Sequence, residues 1–464
     1  MVYCAASQST VSPPGLSHWP ESPQPAGICY IESYLMNIGI DFGTTNSALA
    51  TATPPATTRL ASYATSEERT ETFRSLLYFE RDPTAATRKI KVFAGPSGID
   101  QYLRAEHKGR LIQSVKSYLA SRLFTSTNIF GRHYSVEELV SLIIRGIKTE
   151  AEGQLGDLGE AATVGRPVNF VSAETAADEE LAISRLTSAL KLAGINEATF
   201  EYEPVAAAYF YEAQLTTDQL ILIADFGGGT SDFSILRVGP TRRTAAAQEG
   251  AILANGGVPL AGDSFDARIV RHVVSPQLGK DTMYKSMGRW LEVPSWIYIK
   301  LERWHHLSFL RTKETMDVLK SIRATAMSPE RIDALISLID EDLGYELHQA
   351  VQSTKYQLSH HEEASFEFRH GGIAIKKKVK RTDFEKWIRH DLNSIADTVD
   401  RLLQQAGITA GVIEQVFLTG GSSLVPAVRR LFAERFGAER LTGGGEFTSI
   451  ARGLALRSLE LRPR

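Results

Sequence analysis

A chain of 464 residues, 43% of them hydrophobic, is long enough to bury a large core divided over more than one domain. Its 51 basic and 54 acidic residues leave a formal charge of -3, so no global field holds nucleic acid or an anionic membrane surface. No apolar run approaches the roughly 20 residues that span a bilayer, and Cys4 and Cys29 are the only cysteines, so no disulfide staples the chain beyond residue 35. A cytoplasmic protein with neither nucleic-acid nor membrane partners is the expectation.

In chain order, residues 1–35 are rich in Pro and Ser and read as a disordered extension, with Met36 as the natural start directly before the first core strand. IGIDFGTTNSALA at 38–50 then reads as strand, acid, glycine turn and strand, with Asp41 closing the first strand and Gly43, Thr44, Thr45 and Asn46 forming the turn. Such a turn bares backbone N–H groups that can face an anion, and phosphate is the natural guest. KIKVFAG at 89–95 alternates like a strand, and the apolar spacing of 101–124, which includes Lys116, predicts a helix. Helices are also predicted over 135–152 and 178–195, the second closing at Gly194, with a strand carrying Pro167 between them. EYEPVAAAYFYEA at 201–213 sets Glu203 at a helix start, where Pro204 fits the first turn. There Glu203 either favours the helix dipole or orients a water or hydrated metal.

LIADFGGGTSDFSILRV at 222–238 repeats the first hairpin, with Asp225, Gly227, Gly228, Gly229 and Thr230 at the corresponding points. Gly262 follows in a turn expected near the phosphates, and Asp263 and Asp266 are expected to cap the next helix. The stretch 275–345 holds Trp290, Trp296 and Trp304 and is expected to be an aromatic-packed helical subdomain, a partner-docking surface being the alternative. A helical segment over 345–368, a solvated lysine-rich strand or hairpin face at 376–381, a strand with a Gly420-Gly421 turn and helix at 416–432, and a last helix from 446 complete the chain.

Two related hairpins facing each other would bring the carboxylates of Asp41 and Asp225 to one cavity. Mg²⁺ suits that position, because it keeps its waters, takes few carboxylates and is completed by substrate phosphates. The duplication thus implies a Mg²⁺-nucleotide cleft between two lobes.

The two hairpins resemble the phosphate motifs of the DnaK-type heat-shock chaperones, and VFLTGGSSLVPAVRRLF resembles their adenosine motif. The resemblance covers roughly 37–460 and implies an α/β, two-lobed actin-like ATPase fold made of duplicated ribonuclease H-like βββαβαβα units around a central nucleotide cleft. It implies lobe I over 36–220, lobe II over 221–445 and a C-terminal helix over 446–464 that returns to lobe I. Asp41 and Asp225 would hold Mg²⁺ through water, and Lys116 and Glu203, with Thr230, would serve the hydrolysis of ATP to ADP. Gly43, Thr44, Thr45, Asn46, Gly227, Gly228, Gly229 and Gly262 would cradle the phosphates. Lys355, Ser359, Gly420, Gly421 and Ser422 would hold adenosine.

The sequence also departs from the family. Gln352 replaces a glutamate, Leu424 an arginine that stacks on the base, and Phe447 an aspartate, while the relay arginine has only Arg185 as a loose match. Only a short tail follows Gly453, where the chaperones carry a peptide-binding sandwich on the order of 100 residues. The resemblance therefore predicts an ATPase-only relative, slow in turnover and acting as a nucleotide switch, with a protein client or co-chaperone as partner. A small-molecule kinase of the same fold, a nucleotide-gated module with little turnover and a filament subunit are the alternatives.

Overall fold

The computed structural model describes residues 37–65, 69–81, 89–105, 109–242, 251–303, 307, 310–443 and 448–461. The expected extension over 1–35, Trp304 and Phe447 lie outside the described residues.

Two central sheets carry the same topology. The first contains β1 (Asn37–Asp41), β2 (Asn46–Thr53), β3 (Thr57–Leu60), β4 (Ala161–Arg166) and β5 (Glu197–Tyr202), in spatial order β3-β2-β1-β4-β5. The second contains β6 (Gln219–Phe226), β7 (Ser231–Val238), β8 (Ile252–Val258), β9 (Gln415–Thr419) and β10 (Leu441–Gly443), in order β8-β7-β6-β9-β10. In each, the first three strands pair antiparallel and the last two join parallel to the first. Parallel neighbours need crossover helices, and these are Val136–Leu155 and Ala176–Leu192 in the first half, Arg381–Ala406 and Pro426–Phe436 in the second. Val136–Leu155 begins with a capping box, in which Ser135 Oγ accepts from Glu138 N and Glu138 returns a carboxylate to Ser135 N. This is the duplicated two-lobed actin-like fold.

The closing helix of each half lies on the sheet of the other. Helix Glu203–Glu212 buries Val205, Ala208 and Tyr211 in a cluster with Ile221, Ile223, Leu236 and Phe417 of the second sheet. Helix Ser449–Leu461 buries Ala451 and Ala455 against Ala48, Ala50 and Ala52 of the first. Small residues let these elements approach closely. A Cβ added at Gly453 would overlap the Ala206 carbonyl oxygen, and one at Gly39 would overlap the backbone of Ala455 and Ala451.

Three sequence-based expectations are corrected. Residues 101–124 do not form one helix: helix Gly95–Arg104 is followed by strand Arg110–Gln113 and by the 3-10 turn Val115–Tyr118 that carries Lys116. Strand Arg110–Gln113 pairs antiparallel with Leu76–Arg81, and Ser114 then takes a left-handed φ of 56° that ends any regular element. The tertiary pairing overrides a local periodicity. The insertion between β8 and β9 is helical, with helices Ser295–Glu302, Lys313–Thr325 and Pro329–Asp340, but its described tryptophans do not pack it. Trp290 is 52% and Trp296 40% exposed. Trp290 lies on the exposed strand Arg289–Glu292, paired with Met283–Ser286, and Trp296 on helix Ser295–Glu302, and the buried core here is mainly aliphatic, with Ile297, Leu301, Leu319, Ile322 and Leu335. Finally, no side chain caps helix Gly262–Ile269, and Asp266 instead pairs with Lys355 at 2.8 Å. None of the described helices is long and apolar enough to cross a membrane.

Candidate functional site

The β1–β2 and β6–β7 turns meet across a cavity of about 340 Å³. Thr45 Oγ1 lies so close to Gly228 that an added Cβ would overlap it, and one at Gly229 would come 3.3 Å from Thr44 Oγ1. Each turn is held by its own bonds. Gly43 N donates to Ser47 Oγ at 3.2 Å, Ser47 Oγ and Ser75 Oγ share a bond of 2.8 Å, and Ser75 N donates to Thr45 O at 2.9 Å. In the second turn Gly227 N donates to Thr230 O at 3.0 Å.

A third wall comes from the Gly262 turn, whose Gly262 N and Asp263 N donate to Gly227 O and Gly228 O at 3.2 and 2.8 Å. Lys355 Nζ donates to Gly262 O at 3.3 Å. Gly420 closes the fourth wall with φ of 76°, and a Cβ there would overlap the Phe226 carbonyl oxygen. Just before it, Thr419 Oγ1 donates to Asp225 Oδ1 at 2.6 Å. Asp41, Gly43, Thr44, Thr45, Asn46, Lys116, Glu203, Asp225, Gly227, Gly228, Gly229, Thr230, Gly262, Lys355, Ser359, Gly420, Gly421 and Ser422 all line this one cavity, with Gln352 and Leu424.

Carboxylates outnumber cations at its floor. Lys116 Nζ donates to Glu203 Oε1 at 2.5 Å, both side chains being 7% exposed. Burial pulls the Lys116 ammonium down, but Glu203 and Asp41 hold it net above the ordinary lysine value. Burial, then Glu203, pushes Asp41 well above the usual carboxylate range and Asp225 up to about 7. Asp232, which stands directly across the β6–β7 ladder from Asp225, is pushed up to about 8 by burial and Glu203. Its Oδ1 accepts from Val168 N at 2.8 Å, while its Oδ2 is buried without a partner. Three acids lining the cavity, Asp41, Asp225 and Glu203, and a fourth buried acid, Asp232, acting on one ammonium fit a divalent cation. Among the described residues no group of three or more His, Cys, Asp or Glu side chains converges to ligate a metal directly, so the fit is to an ion that keeps its water.

Arg185 does not reach this floor. Its Nη1 donates to the carbonyls of Tyr118, Leu119 and Ser121 at 3.2, 3.0 and 2.8 Å, and its Nε pairs with Glu137 at 3.4 Å, which anchors the turn bearing Lys116. Pro167 sits between Arg166, paired with Glu179 at 2.8 Å, and Val168, bonded to Asp232. Sequence reasoning missed Asp232, Arg74 and Tyr356. The alignment of Asp232 with Asp225 in the hairpin register is the signal that would have found the first. Arg74 and Tyr356 line the cavity, but Arg74 belongs to no motif and Tyr356 was not singled out between Lys355 and Ser359.

The model of the family described as Hsp70 protein matches residues 79–284 and 321–463, well over half of the chain. The chain belongs to the Hsp70 family. Among curated relatives of this Hsp70-family chain is the chaperone protein DnaK of Thermosipho africanus (strain TCF52B), 24% identical over 422 residues. The match takes in 91% of this chain and 58% of DnaK, so the chain spans a little over half the length of that relative. The family match breaks where the helical insertion exposes Trp290 and Trp296.

Protons held by this acid cluster set a pH dependence. Burial raises Asp232 to about 8 and Asp263 to about 7, so the folded protein binds these protons more tightly than the unfolded chain. That stabilisation is complete below about 4, where the unfolded carboxyls are also protonated, and is lost as pH rises through the folded values. Nucleotide-free protein should melt roughly 5 °C lower at about pH 9 than at about pH 6 by calorimetry. A flat or rising melting temperature would show that the cluster is already ionised.

Proposed function

We propose that the cleft binds Mg²⁺-ATP and hydrolyses it slowly, the two lobes acting as a nucleotide switch for a protein client or co-chaperone in protein folding. The observation that carries this reading is the contact between the two glycine turns, Thr44 and Thr45 against Gly228 and Gly229, over a floor of buried acids. Membership of a family of chaperone ATPases supports it.

In this reading Asp41 and Asp225 hold the hydrated Mg²⁺, which neutralises charge on the triphosphate. The Gly228 and Gly229 amides and the hydroxyls of Thr44, Thr45 and Thr230 donate to phosphate oxygens, while Gly43 N and Gly227 N hold the shape of their turns through Ser47 and Thr230. Glu203 accepts a hydrogen bond from the attacking water and fixes its direction. Lys116, held by Glu203, presents its ammonium to the charge that develops at the terminal phosphoryl group. Gln352, Lys355, Ser359, Gly421 and Ser422 line the end of the cleft taken by adenosine.

Titration calorimetry with ATP, with and without Mg²⁺, tests the assignment. Wild type should bind with Mg²⁺, and Asp225→Asn should remove the Mg²⁺-dependent part of the affinity, about 10- to 100-fold, with little change in chelator. An equal loss in both conditions would place Asp225 outside the metal's reach, and no heat with wild type would end the reading.

A further inference from the structure

Arg74 has no role in the site so far. It ends the two-residue strand Phe73–Arg74, which pairs antiparallel with β2 so that Arg74 stands opposite Asn46, at the tip of the first glycine turn. Its Nη1 donates to Asn46 Oδ1 at 3.2 Å. Its Nη2 is shut off from water and has no hydrogen-bond partner, although the residue lines the cavity. Burial lowers Arg74 from the ordinary arginine value, and Tyr345, Asp263 and Asp266 only partly offset this.

Three basic side chains line the cavity, and two are committed. Lys116 is paired with Glu203 at 2.5 Å and Lys355 with Asp266 at 2.8 Å. Asp263, the other acid acting on Arg74, is itself pushed up to about 7 by burial and by Asp266, so near neutrality it supplies only part of a charge. A guanidinium N–H left dry and unpaired is costly, more so than a neutral donor. The arrangement leaves one planar cationic donor uncommitted beside the turn that carries Thr44 and Thr45, and a phosphate oxygen is the acceptor that matches it in charge and geometry.

We infer that Arg74 is a nucleotide-binding residue that donates Nη2 to the polyphosphate of the bound nucleotide, clamping it from the side of the first glycine turn. The inference rests on the nucleotide reading of the cleft given above. It differs from a structural role in two respects: ligands without phosphate gain nothing from Arg74, and the empty protein is strained by it.

Titration calorimetry with adenosine, AMP, ADP and ATP, each with Mg²⁺, is run on wild type, Arg74→Met and Arg74→Lys, with thermal melts of the ligand-free proteins. Arg74→Met should bind ADP and ATP about 10- to 100-fold more weakly and adenosine within about twofold of wild type. Arg74→Lys should recover part of the loss, since it restores charge without the planar fork. Ligand-free Arg74→Met should melt no lower than wild type. An equal loss for adenosine and ATP, a drop in the melting temperature of the empty protein, or unchanged ADP and ATP affinity would each overturn the assignment. The last result, with wild type still binding Mg²⁺-ATP, removes Arg74 alone and leaves the nucleotide reading intact. A wild type that binds no adenine nucleotide removes both.

Discussion

If the cleft hydrolyses ATP as proposed, Lys116→Ala should slow single-turnover hydrolysis of bound ATP by roughly 10²- to 10⁴-fold while changing ATP affinity by no more than about threefold. Lys116 is buried, bonded to Glu203 at 2.5 Å, and its ammonium also acts on Asp41 and Asp225. In the proposed mechanism its removal would take away the fixed positive charge where the transferring phosphoryl group gains negative charge. It also frees Glu203 from the bond that sets its direction. In that reading binding is spread over two glycine turns and the Gly420 wall, so affinity should change little. Glu203→Gln should keep the shape of the pair and still lose rate. Quenched-flow measurement on preloaded protein reads both, and wild-type rates with either variant would remove these side chains from the chemistry.

Gly453→Val lowers stability by at least about 3 kcal/mol or prevents folding. A side chain at this position would run into the Ala206 carbonyl, and backbone cannot turn aside as a rotamer can. The clash lies where helix Ser449–Leu461 crosses helix Glu203–Glu212, so relief would require the two closing helices to part and would open the clusters around Val205 and Ala451. Gly153→Ala is the control. It lies in helix Val136–Leu155 with nothing within 4 Å of an added Cβ, and it should stabilise by about 0.5–1 kcal/mol. Chemical denaturation of both variants checks the contrast, and a mild effect of Gly453→Val would mean that the crossing is loose.

The fold was legible where the chain repeats itself. The twin hairpins, read from Asp41–Gly43–Thr44 and Asp225–Gly227–Thr230, lead directly to two sheets of one topology, because a glycine turn between two apolar runs is a local signal. The helix Val136–Leu155 was equally plain from the amphipathic spacing read over 135–152. What failed needed distant partners. Strand Arg110–Gln113 exists because Leu76–Arg81 lies beside it, and nothing within 101–124 announces that neighbour. Trp290 and Trp296 were expected inside on hydrophobicity alone, but burial depends on which face another layer covers, and the strand Arg289–Glu292 that carries Trp290 is exposed along its length. The cavity gathers the two glycine turns with Lys116, Glu203, Lys355 and Ser359 but not Arg185, and Arg74 enters it from a two-residue strand that pairs with Asn46 and Ser47. Asp232 was within reach of sequence reasoning, since the register of a tight hairpin places it opposite Asp225.

The exchange of closing helices makes each half incomplete by itself. A fragment ending at the close of the first half would leave Ala48, Ala50 and Ala52 uncovered, and the second half alone would bare Ile221, Ile223 and Phe417. Severed between Glu212 and Gln219, the polypeptide would regain its shape only by complementation in trans, each piece lending the other an arm.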